Sequence, residues 1–163
     1  MGGRRRASIK ALAIIAVLAA AVGISPAAAA DIAVWPDQVI PTSANGFVSY
    51  ATKFYTTNAG GNYYAPLELP VGATITRLTL YRSTFSGAAQ TLVALTRMKI
   101  GQAGENLAMV DITEANNAIT PHSTASVTTP AVEAGYRYFL MFYTYNTTGT
   151  GVIHGAKVRY NLP

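Results

Sequence analysis

Between Tyr64 and Ile100 apolar and polar positions fall into short runs separated by turn residues. Two runs rich in Thr, Ile, Val and Leu flank the corner Pro70-Val71-Gly72. A third, Thr91 to Thr96, follows the small-residue gap Ser86-Gly87-Ala88-Ala89. Runs of this composition between turn residues predict strand, turn, strand, a meander around which the rest of the chain can pack. Within the second run the alternation changes phase. Ala73 and Ile75 occupy odd positions and Leu78 and Leu80 even ones, so a regular strand would aim them at opposite faces. A bulge near Thr76-Arg77 would bring both pairs to one face by inserting a single residue. The alternative is a strand covered on both sides.

The same period of two extends over the rest of the chain. Phe47 to Thr56 predicts one strand, with Val48, Tyr50, Thr52 and Phe54 on one face and Phe47, Ser49, Lys53 and Tyr55 on the other. Ala89 to Ile100 is apolar on both faces at Leu92 to Leu95, which predicts a mid-sheet strand whose basic end, Arg97 and Lys99, reaches solvent. Leu107 to Ile112 reads as a short strand, and Glu114 to Asn117 as one helical turn or a loop. Ala125 to Val132 contains Pro130, which cannot donate to a ladder, and so reads as an edge strand. Pro36 and Pro41 place Asp31 to Pro41 at an edge for the same reason. Tyr136 to Tyr145 predicts a central strand, and its lead-in Val132 to Tyr138 resembles a tyrosine corner. Val152 to Leu162 closes the chain, with Lys157 and Arg159 on one face and Val158 and Tyr160 on the other. Eight or nine strands and no amphipathic helix of useful length predict an all-β antiparallel β-sandwich of jelly-roll type; an immunoglobulin-like sandwich is the alternative, since strand count does not give strand order.

Residues 1–30 read differently. A basic start (Arg4, Arg5, Arg6, Lys10), an apolar run from Ala11 to Ile24 and the small-residue end Ala28-Ala29-Ala30 predict a signal peptide, leaving 31–163 as a single β-sandwich domain. The apolar run is shorter than the roughly 20 residues a spanning helix needs, so no transmembrane segment is expected after cleavage. This changes the charge picture. The whole chain carries +5, but removing those four cations leaves eight Lys and Arg against seven Asp and Glu, a net +1. Nucleic-acid binding loses its footing, because it needs a clustered basic footprint. The chain has no cysteine, which excludes disulfides, thiol catalysis and thiolate metal sites.

Candidate chemistry is sparse. His122 and His154 lie in a Pro-His-Ser loop and a terminal strand, and no Gly-x-Ser-x-Gly elbow precedes a helix, so no catalytic residues are assigned and no enzyme is expected. Asp111, Glu114, Asn116 and Asn117 are the densest oxygen cluster; they are the candidates for a structural calcium ion, although they lack the Asp-x-Asp-x-Asp-Gly spacing, and otherwise no cofactor is implied. Trp35, the only tryptophan, reads as a core or edge anchor, or as a sugar-stacking platform if a groove surrounds it. Tyr55, Tyr63 and Tyr64 flank a Gly/Asn loop in which Asn58 and Asn62 could bond hydroxyls, which makes these five the candidate ligand-binding residues. Arg77, Arg97, Lys99, Arg137, Lys157 and Arg159 all fall in predicted strands. Projecting from one sheet they would form a basic band for an anionic polymer; otherwise they guard solvent faces and edges.

The stretch from Tyr64 to Tyr81, then Leu92 to Arg97 and the late Tyr-rich strand, resembles small secreted bacterial β-sandwich domains with the core Ala-Pro-x-x-Leu-Pro-x-Gly-Ala-x-Ile-x-x-Leu, here Ala65 to Leu78. The resemblance implies fold and export and carries no active site. It breaks at Ser83-Thr84-Phe85, where such domains often place acidic or Asn residues. The function expected is a non-enzymatic secreted or cell-surface module that contacts glycan or another extracellular polymer. The alternative is a structural subunit that self-assembles when segment 31–41 adds to a neighbour's sheet edge.

Overall fold

A computed structural model describes residues 27–41, 47–50, 53–56, 61–86, 89–145 and 150–163. Two antiparallel sheets face each other. The first has the order β3 (Phe47–Tyr50), β4 (Lys53–Thr56), β11 (Thr150–Asn161), β6 (Thr74–Ser86), β9 (Thr120–Thr124), with β1 (Ala29–Val34) also on β11. The second runs β2 (Ile40–Pro41), β5 (Gly61–Leu67), β10 (Arg137–Tyr145), β7 (Ala89–Met98), β8 (Glu105–Glu114). Each sheet interleaves early strands with late ones: β11 lies between β4 and β6, and β10 between β5 and β7. That wrapping is the jelly roll, and it excludes the immunoglobulin-like alternative. Among the described residues no helix is long and apolar enough to cross a membrane.

The core lies between the sheets. Ile75, Leu78, Leu80, Ile153 and Val158 meet Tyr63, Val93, Leu95, Leu140 and Phe142, all essentially inaccessible. Each such aliphatic side chain contributes about 1.5–3 kcal/mol of burial. Phasing them depends on the bulge. Arg159 pairs with Arg77 and Tyr160 with Ile75, so Thr76 is an extra residue on β6, and its hydroxyl donates to the Arg159 carbonyl (3.2 Å). Ala73, Ile75, Leu78 and Leu80 consequently all face the core.

The tyrosine corner forms too: the Glu133 N–H donates to the Tyr138 hydroxyl at 2.9 Å. Arg97 beneath it is held by Glu105 and Glu133, both at 2.8 Å, and stacks on the Tyr136 ring with Lys99 nearby. β7 and β10 are central strands, and segment 31–41 lies at edges, β1 along β11 and β2 along β5.

Three elements differ from expectation. The corner at Pro70–Ala73, closed by Ala73 N–H to Pro70 O (3.1 Å) with Gly72 at φ 85°, leads from one sheet to the other, so β5, β6 and β7 are not a meander. Phe47 to Thr56 is a hairpin: Tyr50 pairs with Lys53 and Phe47 with Thr56. No Gly or Asn marks that reversal, so the alternation runs through it unbroken. Finally, one edge strand of the first sheet is Thr120–Thr124. Ala125 to Val132 supplies the bridge Thr74–Ala131, the Pro130 and Val132 carbonyls that accept from Ile75 N–H (2.7 Å) and Gly72 N–H (2.8 Å), and the Val132 and Thr128 N–H groups that donate to the carbonyls of Ala73 (2.8 Å) and Leu107 (2.9 Å). Pro121, not Pro130, is the proline tolerated in the edge strand.

Candidate functional site

The outer face of the first sheet is a grid set by register. Asp31, Arg159 and Arg77 are successive cross-strand partners on β1, β11 and β6. Ala33, Lys157, Thr79 and Ser123 make the next row, and Gly155, Tyr81 and Pro121 the third. Trp35, directly after β1, extends that third row. Residues two apart on a strand are about 7 Å apart, so charged and aromatic rows lie roughly 13 Å from each other.

Two depressions meet on this grid. One, about 370 Å3, lies between Trp35, Tyr81, Ile119, His154 and Lys157. The other, about 260 Å3, is lined by Arg77, Thr79, Tyr81, Ser123, Lys157 and Arg159. Tyr81 and Lys157 border both, so they form one groove with an apolar end and a cationic end.

Local backbone chemistry builds the apolar end. β11 pairs with β4 through Val152 and Ile153, then with β1 from Ala156 onward. At the change of partner a second bulge makes His154 the extra residue opposite Arg82 and Tyr81. His154 is fixed there by a 2.8 Å hydrogen bond shared between its Nε2 and Ser83 Oγ. Gly155 has φ 142°, and a Cβ on it would stand 2.8 Å from the Val34 carbonyl oxygen. Only glycine lets β1 approach this closely. Beyond Val34 the chain enters a 3₁₀ turn at Pro36–Gln38, with Pro36 buried and the Gln38 side chain accepting from Trp35 N–H at 2.9 Å. Trp35 is thus held at a fixed strand end with 58% of its surface exposed. Ile119, 59% exposed, forms the facing wall.

Electrostatics set the other end. Asp31 accepts from both Nε and Nη2 of Arg159 (2.9 and 3.2 Å) and lies 3.4 Å from Lys157 Nζ. The Arg159 hydrogen bonds, with help from Lys157 and against the opposing effect of burial, hold the Asp31 carboxyl below its usual range. Arg77 is exposed, and among the described residues no carboxylate pairs with it.

The five ligand-binding candidates do not form one rim. Tyr63 is 1% exposed and packs in the core, so its ring is not offered to a ligand, and burial raises its phenol pKa. Tyr64, half-buried, and Asn62, exposed, face outward on the second sheet, away from the groove, because neighbours on a strand alternate sides. Tyr55 lies on β4 of the first sheet, opposite Val152. Asn58 is outside the described residues. The four calcium candidates do not converge either. Asp111 and Glu114 are three residues apart on β8, hence on opposite faces; Asp111 accepts from the Gln90 amide (3.0 Å), and Glu114 sits 3.9 Å from His122 Nε2, with the Arg82 guanidinium donating to its main-chain carbonyl (3.3 Å). Asn116 accepts from Ala118 N–H and donates to Thr120 Oγ1, both at 2.9 Å, while Asn117 accepts from Thr84 Oγ1 at 3.3 Å. These two asparagines shape the loop that carries Ile119. The six strand cations divide: Arg77, Lys157 and Arg159 share the groove face, whereas Arg97 and Lys99 gather round Tyr136, with Arg137 on β10 beside it.

The fold and groove place the chain among jelly-roll β-sandwiches, and solved structures agree. It is similar to the CBM22-1–GH10 modules of Clostridium thermocellum endo-1,4-beta-D-xylanase 10B complexed with xylohexaose (TM-score 0.53, 10% identity, 85% of this chain and 28% of that one). It is also similar to the CBM36-1 domain of a multidomain xylanase from the hindgut metagenome of Trinervitermes trinervoides (TM-score 0.52, 10% identity, 79% and 96%). A third is the C-terminal CBM6 of LamC, a marine laminarinase from Zobellia galactanivorans (TM-score 0.51, 12% identity, 79% and 98%). The chain thus spans nearly all of two modules whose structures were solved apart from their enzymes and under a third of the xylanase chain. At these identities the likeness is one of fold. No family profile matches the sequence, and no curated protein resembles it.

Proposed function

We propose that this protein is a non-enzymatic glycan-binding module, exported to the cell envelope or the medium, and that the groove on its first sheet is the binding site. The observation that carries the reading is the exposed Trp35 ring, fixed at one end of a groove whose floor supplies Tyr81, Thr79 and Ser123. An aromatic face takes the C–H side of a pyranose while hydroxyls and cations meet its polar edge. The fold shared with carbohydrate-binding modules supports the same reading, and the three-part N-terminal segment supports export.

Affinity electrophoresis through gels containing single polysaccharides tests it. The expected result is retention of the wild type on at least one polymer and loss of at least tenfold in affinity for Trp35→Ala, with an unchanged melting temperature because the ring is largely outside the core. Equal retention of wild type and variant on every polymer would remove the groove from consideration. The alternative, assembly by donation of segment 31–41, requires β1 to exchange its pairs with β11 for those of a neighbour. Solution mass that stays monomeric over a hundredfold concentration range would end it.

A further inference from the structure

The cationic end of the groove contains an electrostatic imbalance. Arg159 and Arg77 are direct cross-strand partners, and like charges placed opposite each other on a sheet repel. Asp31 answers only one of the two: its carboxylate is forked onto Arg159 and touches Lys157 on the far side from Arg77. Arg77 is left exposed beside Thr79, Ser123 and Lys157. Three cations against one carboxylate leave this end with an excess of two positive charges, in a depression lined by hydroxyl groups. The sheet already demonstrates what such cations hold, because Asp31 is itself a carboxylate seated bidentately on a guanidinium. A second carboxylate bridging Arg77 and Lys157 would relieve the repulsion. The aromatic row lies roughly 13 Å away along the same groove, within reach of a neighbouring residue of one short oligosaccharide.

We infer that the ligand is an acidic glycan of the uronate class, whose ring stacks on Trp35 and Tyr81 while a carboxylate one or two residues along the chain is held by Arg77 and Lys157. This rests on the glycan-binding reading and names its ligand chemistry. Neutral polysaccharides fit the apolar end but leave the arginine pair unrelieved.

The test compares polygalacturonate and alginate with methyl-esterified polygalacturonate, which keeps the backbone and loses the charge, and with dextran sulfate, which supplies anions of another kind. The expected result is retention on a uronate polymer and at least tenfold weaker retention on the ester. Arg77→Ala, Lys157→Ala and Trp35→Ala should each lose at least tenfold, with Arg137→Ala, outside the groove, unchanged. Equal binding of acid and ester, still dependent on Trp35, would overturn the uronate assignment and leave the glycan site standing. Preference for dextran sulfate would overturn it in favour of sulfated chains. Retention that survives the double variant Arg77→Ala/Lys157→Ala would reduce the attraction to non-specific charge. No retention on any polymer would remove both readings.

Discussion

Tyr138 shows how much one hydroxyl can organise. It is buried, it accepts the Glu133 N–H, and Glu133 in turn holds Arg97. Tyr138→Phe should therefore lower stability by about 1–3 kcal/mol, because the amide is left without its partner; urea unfolding with an unchanged m-value would register it, and a loss below about 0.5 kcal/mol would mean that the corner is ornamental. The corner was legible in the sequence, since Val132 to Tyr138 precedes a hydrophobic strand. The residues of the proposed binding groove were not. Tyr63 and Tyr64 attract notice as neighbours, yet alternation alone forbids both from facing a ligand, and that signal was available. Trp35 was visible as the sole tryptophan, but whether it is core or platform depends on Gly155 and Ile119, more than 80 residues away along the chain.

At the scale of strands, the bulges at Thr76 and His154, two of the irregularities between β6 and β11, do the phasing of the groove face. Deleting Thr76 should remove the bulge and leave β6 in strict alternation, with Ala73 and Ile75 still on the core face beside Leu78 and Leu80, so the thermal midpoint should stay within a few degrees of wild type; a loss of about 1.5–3 kcal/mol, the burial of one isoleucine, would show that the bulge does more than phase the apolar positions. This bulge could be read from the sequence because apolar residues on both sides of it disagree in parity. The bulge at His154 left only a glycine inside a strand as its trace. Gly155→Ala should force Val34, and β1 with it, away from β11 at a cost of about 1–3 kcal/mol and weaken ligand retention along with it. Retained binding with unchanged stability would show that the approach to Val34 is not needed. The hairpin of β3 and β4 was hidden because it obeys the strand pattern, and the corner at Gly72, legible as a turn, carried no sign that it crosses between sheets; only pairing reveals both.

Across the whole molecule, the fold class was legible from strand count and turn spacing, while the site was not, because its rows join β1, β6, β9 and β11 through a register that no local run encodes. Asp31 links these ends of the chain and makes the link pH-dependent. Its folded pKa is lowered from 3.8, so its stabilising effect is complete above that value and is lost as the pH falls through the lower folded one. Asp31→Asn should abolish that acid-limb loss, so wild type and variant converge in stability at low pH; parallel curves from pH 2 to 6 would contradict the link. β1 also has one sheet neighbour where β10 has two, and it pairs with the stretch of β11 that β4 does not reach. It can therefore open as a unit while the sandwich stays closed, and the Trp35 wall would leave with it. Amides of Ile32 and Val34 should exchange with deuterium well before those of Leu140 and Phe142. A saturating ligand should slow the first pair and leave the second unaltered, so the clasp that shapes the groove would also report its occupancy.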